Sequence, residues 1–314
     1  MFITCDLHVS KEELRLLSCL NFLDFLQKEC IRTEDKKLAI LGDIFHTSNS
    51  IKNQMFVPIF MKFLEMKKNG IELFFIPGNH DIYNKDNSGA LAETFSAFGT
   101  YIQKSATLNI DGTDYDFLAY TEDPSEIPNN SDILLTHLSI EGFWPANYIL
   151  KESFDHYSLV VSGHVHKYQQ EGKFFFVGAP YSCNKAESSY LHGYARINGY
   201  DITHCSYNDA PEYLTINAEE FNKDIDYRNK IVTVQISKKI ENFVKLRDIL
   251  FEKGAIDVLP EFLKEEIEDT TEHKVDTNEG VVKSAAKYIG EIKAEKIDNT
   301  KLLSCFKEVL RRNA

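Results

Sequence analysis

The sequence has no apolar run approaching the roughly 18 residues that a membrane helix needs, so no bilayer-spanning segment is expected. It also has no basic stretch followed by an apolar one at its start. Met1, Phe2, Ile3 and Thr4 enter a strand-like pattern at once, so no secretory leader is expected. No Cys-x-x-Cys pair occurs. The six cysteines (Cys5, Cys19, Cys30, Cys183, Cys205 and Cys305) are scattered, which suits reduced structural thiols in a cytoplasmic protein. Positive charge is in deficit: 35 Lys and Arg face 48 Asp and Glu, for a net charge of −13. A protein that grips nucleic acid unaided is usually basic, at least locally. The deficit argues against autonomous, tight binding to a polyanion. It fits a metal-dependent enzyme with a carboxylate-rich site, or a subunit whose partner brings the positive charge. Internal repeats are absent too. What is there is an ordinary globular composition, 43% hydrophobic and 26% charged over 314 residues, enough for one large domain or two to three smaller ones.

The first two hundred residues begin by alternating short apolar runs with helical patterns. "MFITCDLHV" reads as a strand. "KEELRLLSCLNFLDFLQKEC" reads as a helix with Leu16, Cys19, Leu20, Leu23, Leu26 and Cys30 on one face and Phe22 and Phe25 off it. Ser10 is its expected N-cap, with Glu13 three residues on as in a capping box. "KKLAILGDIF" and "IELFFIPGNHD" hold buried strands, separated by a helix that ends at Gly70. Strand, helix, strand, helix, strand predicts α/β units with parallel pairing. After residue 100 the chain turns strand-rich, with a hairpin turn at Asp111-Gly112, so two sheets packed face to face with helices outside are expected. From about residue 212 "KIVTVQIS", "KKIENFVKLRDILFEKG" and "AIDVLPEFL" suggest a small βαβ-like unit. A highly charged stretch and two amphipathic segments follow it.

Five strand-like runs end in metal-ligand residue types. They are Asp6-Leu7-His8, Gly42-Asp43-Ile44-Phe45-His46, Gly78-Asn79-His80-Asp81, Thr136-His137 and Gly163-His164-Val165-His166. Each alone reads as a turn or a solvated strand end. Their joint occurrence does not, because sites in open α/β sheets form where the strands' carboxyl ends meet. In "LVVSGHVHKY" the two histidines fall at i and i+2, which on a strand would aim both imidazoles at one point.

The ordered set "DLH", "GDIFH", "GNHD", "TH" and "GHVH" resembles the calcineurin-like metallophosphoesterases, over roughly residues 1–185. The resemblance implies an α/β fold, a four-layer α/β/β/α sandwich of the metallophosphoesterase type, with a small α/β capping domain and C-terminal helices. It implies two divalent ions, Mn foremost, with Mg, Fe or Zn as alternatives. Asp6, His8, Asp43 and His166 would hold the first, and Asp43, Asn79, His137 and His164 the second, with Asp43 bridging. His164 and His166 would then serve different ions. His80 would contact the phosphate and protonate or stabilise the leaving oxygen. His46 either reaches the substrate or is solvated, and Asp81 either orients a neighbour or caps the next turn. "GDIFH", without the Arg-Gly of protein phosphatases, together with "GAP" at 178–180, is similar to SbcD-type nucleases, in a short form like those encoded by phages. That likeness implies a catalytic domain over 1–207, a DNA-binding capping domain over 208–264, a linker over 265–280 and a partner-docking helical segment over 281–314. Its substrate would be DNA, as double-stranded ends or single strands. Its partner would be an SbcC-type SMC-like ATPase, with homodimerisation left open, in the cytoplasm of the cell or, for a phage protein, of the host. A small-nucleotide phosphodiesterase or phosphatase of the same superfamily is the alternative.

Overall fold

The structure, a computed structural model, describes residues 1–10, 12–46, 53–82, 94–145, 147–221, 224–236 and 240–262. One six-stranded sheet is built from β1 (Phe2–Thr4), β2 (Lys37–Leu41), β3 (Glu72–Ile76), β4 (Thr100–Tyr101), β11 (Gly193–Asn198) and β12 (Asp201–Ser206), in the order β12-β11-β1-β2-β3-β4. From β1 to β4 the pairing is parallel, and β11 returns antiparallel to β1. The second sheet orders β5 (Ser105–Ile110), β6 (Thr113–Leu118), β7 (Ile133–Thr136), β8 (Leu159–Ser162), β10 (Phe174–Phe176) and β9 (Gln169–Glu171). Its four inner strands are parallel.

The central parallel strands are continuous apolar runs because both of their faces are buried. Side chains alternate between two cores. Phe74, Ala39 and Leu41 face the second sheet and meet Phe117, Leu135, Val161 and Phe175. Phe75, Leu38 and Ile40 face the other way, onto α1 (Glu13–Arg32) and α2 (Asn53–Lys68). The outer face of the second sheet carries Leu134, Val160, Phe174 and Phe176. Leu138, Ile140, Phe154 and Tyr157 cover it, from loops around a 3₁₀ turn at Lys151–Phe154. The expected layering is thus present, with the outermost layer made here of loop and 3₁₀ turn. A third sheet, β13 (Glu212–Asn217), β14 (Lys230–Ile236) and β15 (Asp257–Phe262), packs with α3 (Ile240–Glu252) around its own apolar cluster. Contacts join Met1–Glu261 into one compact unit. The linker expected over 265–280 and the helices expected over 281–314 lie outside the described residues. No described helix is long and apolar enough to cross a membrane.

Local details depart from expectation at α1. Its N-cap is Glu12, without a side-chain hydrogen bond, and Ser10 Oγ instead accepts from the Glu12 N–H at 3.2 Å, outside the helix. Phe22 is fully buried, packed edge-on against Tyr181 and Tyr207. A helix lodged against a sheet and further aromatic side chains buries a wider stripe than a surface helix does. Gly70 follows α2 at φ +77°, and Ile71 N–H returns to the Met66 carbonyl, the αL ending that glycine permits. Asp111 and Gly112 both have positive φ, as a two-residue I′ turn requires.

Candidate metal centre

β1, β2, β3, β7 and β8 end on the same side of the two sheets, and their following loops interlock. Asp6 N–H donates to the Gly42 carbonyl at 3.1 Å, and His8 N–H to the Asp43 carbonyl at 2.9 Å. Asp6, His8, Asp43 and His164 all have positive φ, half of the eight described non-glycine residues that do. Each left-handed residue costs on the order of 1–3 kcal/mol, and such strain persists where surrounding structure imposes it. Here it bends the chain just after β1, β2 and β8.

Asp43 sits at the centre. Its Oδ2 lies 3.5 Å from His8 Nε2 and 3.4 Å from His137 Nε2. Asp6 Oδ1 lies 3.8 Å from His8 Nε2, 3.8 Å from His166 Nε2 and 4.0 Å from His137 Nε2. His8 Nε2 and His166 Nε2 are 2.9 Å apart. Asn79 Oδ1 stands 3.3 Å from His137 Nε2 and 2.9 Å from His164 Nδ1. Ligands bound at ~2.0–2.2 Å around one ion are themselves about 2.8–4.4 Å apart, so these separations suit shared cations. Asp6 Oδ1 is buried and has no hydrogen-bond partner among the described residues, an expense that a cation would remove. The donors are carboxylate, imidazole and amide, a set suited to Mn, Fe or Zn.

Backbone and carboxylate acceptors fix the imidazoles. His137 Nδ1 lies 2.7 Å from the Leu41 carbonyl, so Nδ1 carries the proton and Nε2 faces Asp43 and Asn79. Glu187 Oε1 accepts from His166 Nδ1 at 3.0 Å and leaves His166 Nε2 toward the cluster. Glu187 is itself held by Cys183 N–H and by Asn184 Nδ2. Carboxylate–imidazole pairs of this kind orient metal-binding histidines. Sequence reading missed Glu187. Its signal was the Asn-x-x-Glu spacing of "NKAE", where Asn184 caps a 3₁₀ turn at Lys185–Glu187.

The His164–His166 pair corrects the strand-geometry expectation. β8 stops at Ser162 and His164 is left-handed, so the two rings do not share a strand face. His164 meets Asn79, whereas His166 meets His8 and Glu187. Gly163 permits this by close approach: a Cβ there would lie 2.6 Å from the Leu41 carbonyl oxygen and 2.7 Å from His137 Nδ1.

His80 N–H donates to Asp43 Oδ1 at 2.9 Å, and its ring Nδ1 donates to the His46 carbonyl at 2.7 Å, so Nε2 is not used in that bond. His46 stacks on His80 at 5.5 Å, and its Nδ1 is 3.4 Å from His8 Nδ1. Asp81 accepts from the N–H groups of Ile44, Phe45 and Gly78, so its carboxylate braces the second and third strand-end loops against each other. Burial and the Asp43 charge push the Asp81 carboxyl up to about 7.

Burial raises the Asp6 carboxyl despite nearby His137 and His166. Burial also acts to raise Asp43, but His137 and His8 hold it below the usual carboxylate range. Burial opposes the charge on His137, yet Asp43 lifts it to about 9. Burial presses His8 well below its ordinary value and, with His137, takes His164 down to about 4. A neutral imidazole is the form that binds metal.

Residues 3–168 match the calcineurin-like phosphoesterase family. No curated protein matches the chain. Among solved structures, a dimetal phosphatase from Danio rerio is similar at 10% identity and a TM-score of 0.39, over 62% of this chain and 90% of that one. A protein of unknown function, AQ665, from Aquifex aeolicus is similar at 15% identity and a TM-score of 0.27, over 50% of this chain and 92% of that one.

Proposed function

Since the chain belongs to the calcineurin-like phosphoesterase family, we propose that it hydrolyses phosphodiester bonds of DNA with two divalent ions, as the nuclease subunit of an SbcC–SbcD-like complex. The observation that carries the hydrolytic reading is the buried Asp6 Oδ1, without a hydrogen-bond partner among the described residues and ringed by the Nε2 atoms of His8, His137 and His166 beside Asp43. Asp6, His8, Asp43 and His166 would hold one ion. Asp43, Asn79, His137 and His164 would hold the other, with Mn foremost. The ions supply Lewis acidity toward the phosphate and lower the pKa of water at the site.

The chain's own groups do the rest. Asp43 is shared between the two sets while its Oδ1 is steadied by His80 N–H. The Leu41 carbonyl and Glu187 keep His137 and His166 in the tautomer that presents Nε2. His80, tied through Nδ1–H to the His46 carbonyl, offers Nε2 to the phosphate and, when protonated, a proton to the leaving oxygen.

The nuclease part rests on "GDIFH" with His46, on the absence of the Arg-Gly of protein phosphatases, and on the small sheet that follows the catalytic region. An SbcC-type ATPase docked on residues 281–314 would bring the positive charge that this chain lacks. One observation favours a second reading, a small-nucleotide phosphodiesterase: the net charge of −13 weakens any unaided hold on a polyanion. The test is an assay with Mn on duplex DNA, single-stranded DNA and bis-p-nitrophenyl phosphate, with and without the cognate ATPase. Cleavage of DNA supports the nuclease reading. Turnover of the small ester alone, with the ATPase present, overturns it in favour of the second.

A further inference from the structure

We propose that the aromatic rings of Trp144 and Tyr120 beside His164 stack an unpaired nucleobase next to the scissile phosphate, so that single-stranded or locally melted nucleic acid is the substrate cut. The inference rests on the phosphodiesterase reading above. Trp144 is the only tryptophan of the chain and is 40% exposed. It stands edge-on to His164, with ring centres 5.2 Å apart. The Tyr120 ring lies 5.8 Å from His164 and 6.4 Å from His137. Tyr120 is anchored to the strand-end loop that carries Asn79, because its N–H donates to the Pro77 carbonyl at 3.0 Å. Behind it opens a cavity of about 770 Å³ lined by Ile82, Lys104, Glu122, Asp123 and Glu126 among others. That volume lies within the usual range of small-molecule sites.

The charge of this lining selects among the parts of a nucleotide. Three carboxylates against one lysine repel phosphate, but they accept the exocyclic amino and ring N–H groups of bases. Tyr120 O–H already donates to Glu122 Oε1 at 3.0 Å, which places an acceptor at the wall. The cationic groups Arg15 and Lys185 lie instead on the His166 side. Arg15 Nη2 donates to the Cys183 carbonyl, and Lys185 belongs to the turn that carries Glu187. The site is therefore uneven: aromatic beside His164 with an acidic cavity at Tyr120, while Arg15 and Lys185, each paired to a carboxylate, lie on the His166 side. A strand threaded across it would turn a base toward His164 and continue its phosphates toward His166. A base inside a duplex is paired and stacked, and reaches such a seat only by leaving the stack.

The test uses the full chain with Mn and two single strands of equal length, oligothymidylate and an abasic strand with the same phosphates, alongside bis-p-nitrophenyl phosphate. The native protein should prefer oligothymidylate over the abasic strand. Trp144→Ala should lower kcat/KM on oligothymidylate by about 10- to 100-fold and reduce that preference, while Trp144→Phe restores most of it. Trp144 fluorescence should be quenched by oligothymidylate and not by the abasic strand. Turnover of bis-p-nitrophenyl phosphate with equal or no cutting of the two strands, or an equal loss on both in Trp144→Ala, overturns the base seat alone. No turnover of any of the three overturns the phosphodiesterase reading, and the seat with it.

Discussion

Asp43 faces His8 and His137 at nearly equal distances, and its other oxygen is already taken by His80 N–H. Its charge is what lifts His137 to about 9, against burial, in the metal-free protein. His137 therefore carries a proton near neutral pH and must give it up to serve an ion through Nε2. The sign follows: loading metal releases protons near neutral pH, and affinity climbs as pH rises toward about 9 and then levels. Asp43, held below the usual carboxylate range, is already ionised and contributes no such proton. Calorimetric titration of Mn in buffers of different ionisation enthalpy measures this directly. Metal loading with no proton release near neutral pH would show His137 neutral beforehand. His80 occupies a different position, its Nδ1 committed to the His46 carbonyl, although it clusters with His8 and His46 closely enough to be a rival ligand. Replacing His80 with Ala should lower turnover by about 10²- to 10⁴-fold while elemental analysis still finds both ions. Loss of metal instead would make His80 a ligand.

The strand ends place these residues, and glycines let the ends approach. A Cβ on Gly78 would lie 2.1 Å from Asp43 Oδ1, so Gly78→Ala must displace the side chain at the centre of the cluster. We expect it to weaken metal binding by at least about tenfold, comparable to losing an outer partner of a ligand. Equilibrium dialysis against Mn checks this, and unchanged affinity would show that the loop shifts without disturbing Asp43. Much of this architecture was readable in the sequence because β2 and β3 are continuous apolar runs that stop at Gly-Asp and Pro-Gly-Asn. Period and punctuation locate such strand ends without any tertiary information. Glu187 was not readable in that way, since its contact with His166 depends on a turn returning twenty-one residues later. Trp144 and Tyr120 sit in loops, which have no period. The misplaced cap of α1 has a local cause: Ser10 bonds Glu12 N–H before the helix begins, so its hydroxyl satisfies a turn instead of a helical donor.

At the scale of the molecule, charge decides what the chain can hold alone. Affinity for DNA falls with salt in proportion to the phosphates neutralised, with a log–log slope of roughly −0.7 to −0.9 per phosphate contact. A chain of net charge −13, with Arg15 paired to Glu12 and Lys185 to Glu261, has few cations left to neutralise phosphates near its site. The isolated protein should therefore bind single strands with a shallow salt slope, on the order of one or two contacts, and, if the proposed ATPase partner exists, the slope should steepen once it is bound. Because Met1–Glu261 already forms one compact unit, removing residues 275–314 leaves that unit whole. The truncated chain should keep its hydrolysis of bis-p-nitrophenyl phosphate and its shallow slope, but no longer co-purify with the ATPase or acquire the steep slope. Fluorescence anisotropy across a salt series, run on the full and truncated chains with and without the partner, separates these cases. A steep slope for the isolated chain would mean that a local basic surface does the holding. A truncated chain that still gains the steep slope would place the docking surface within residues 1–274.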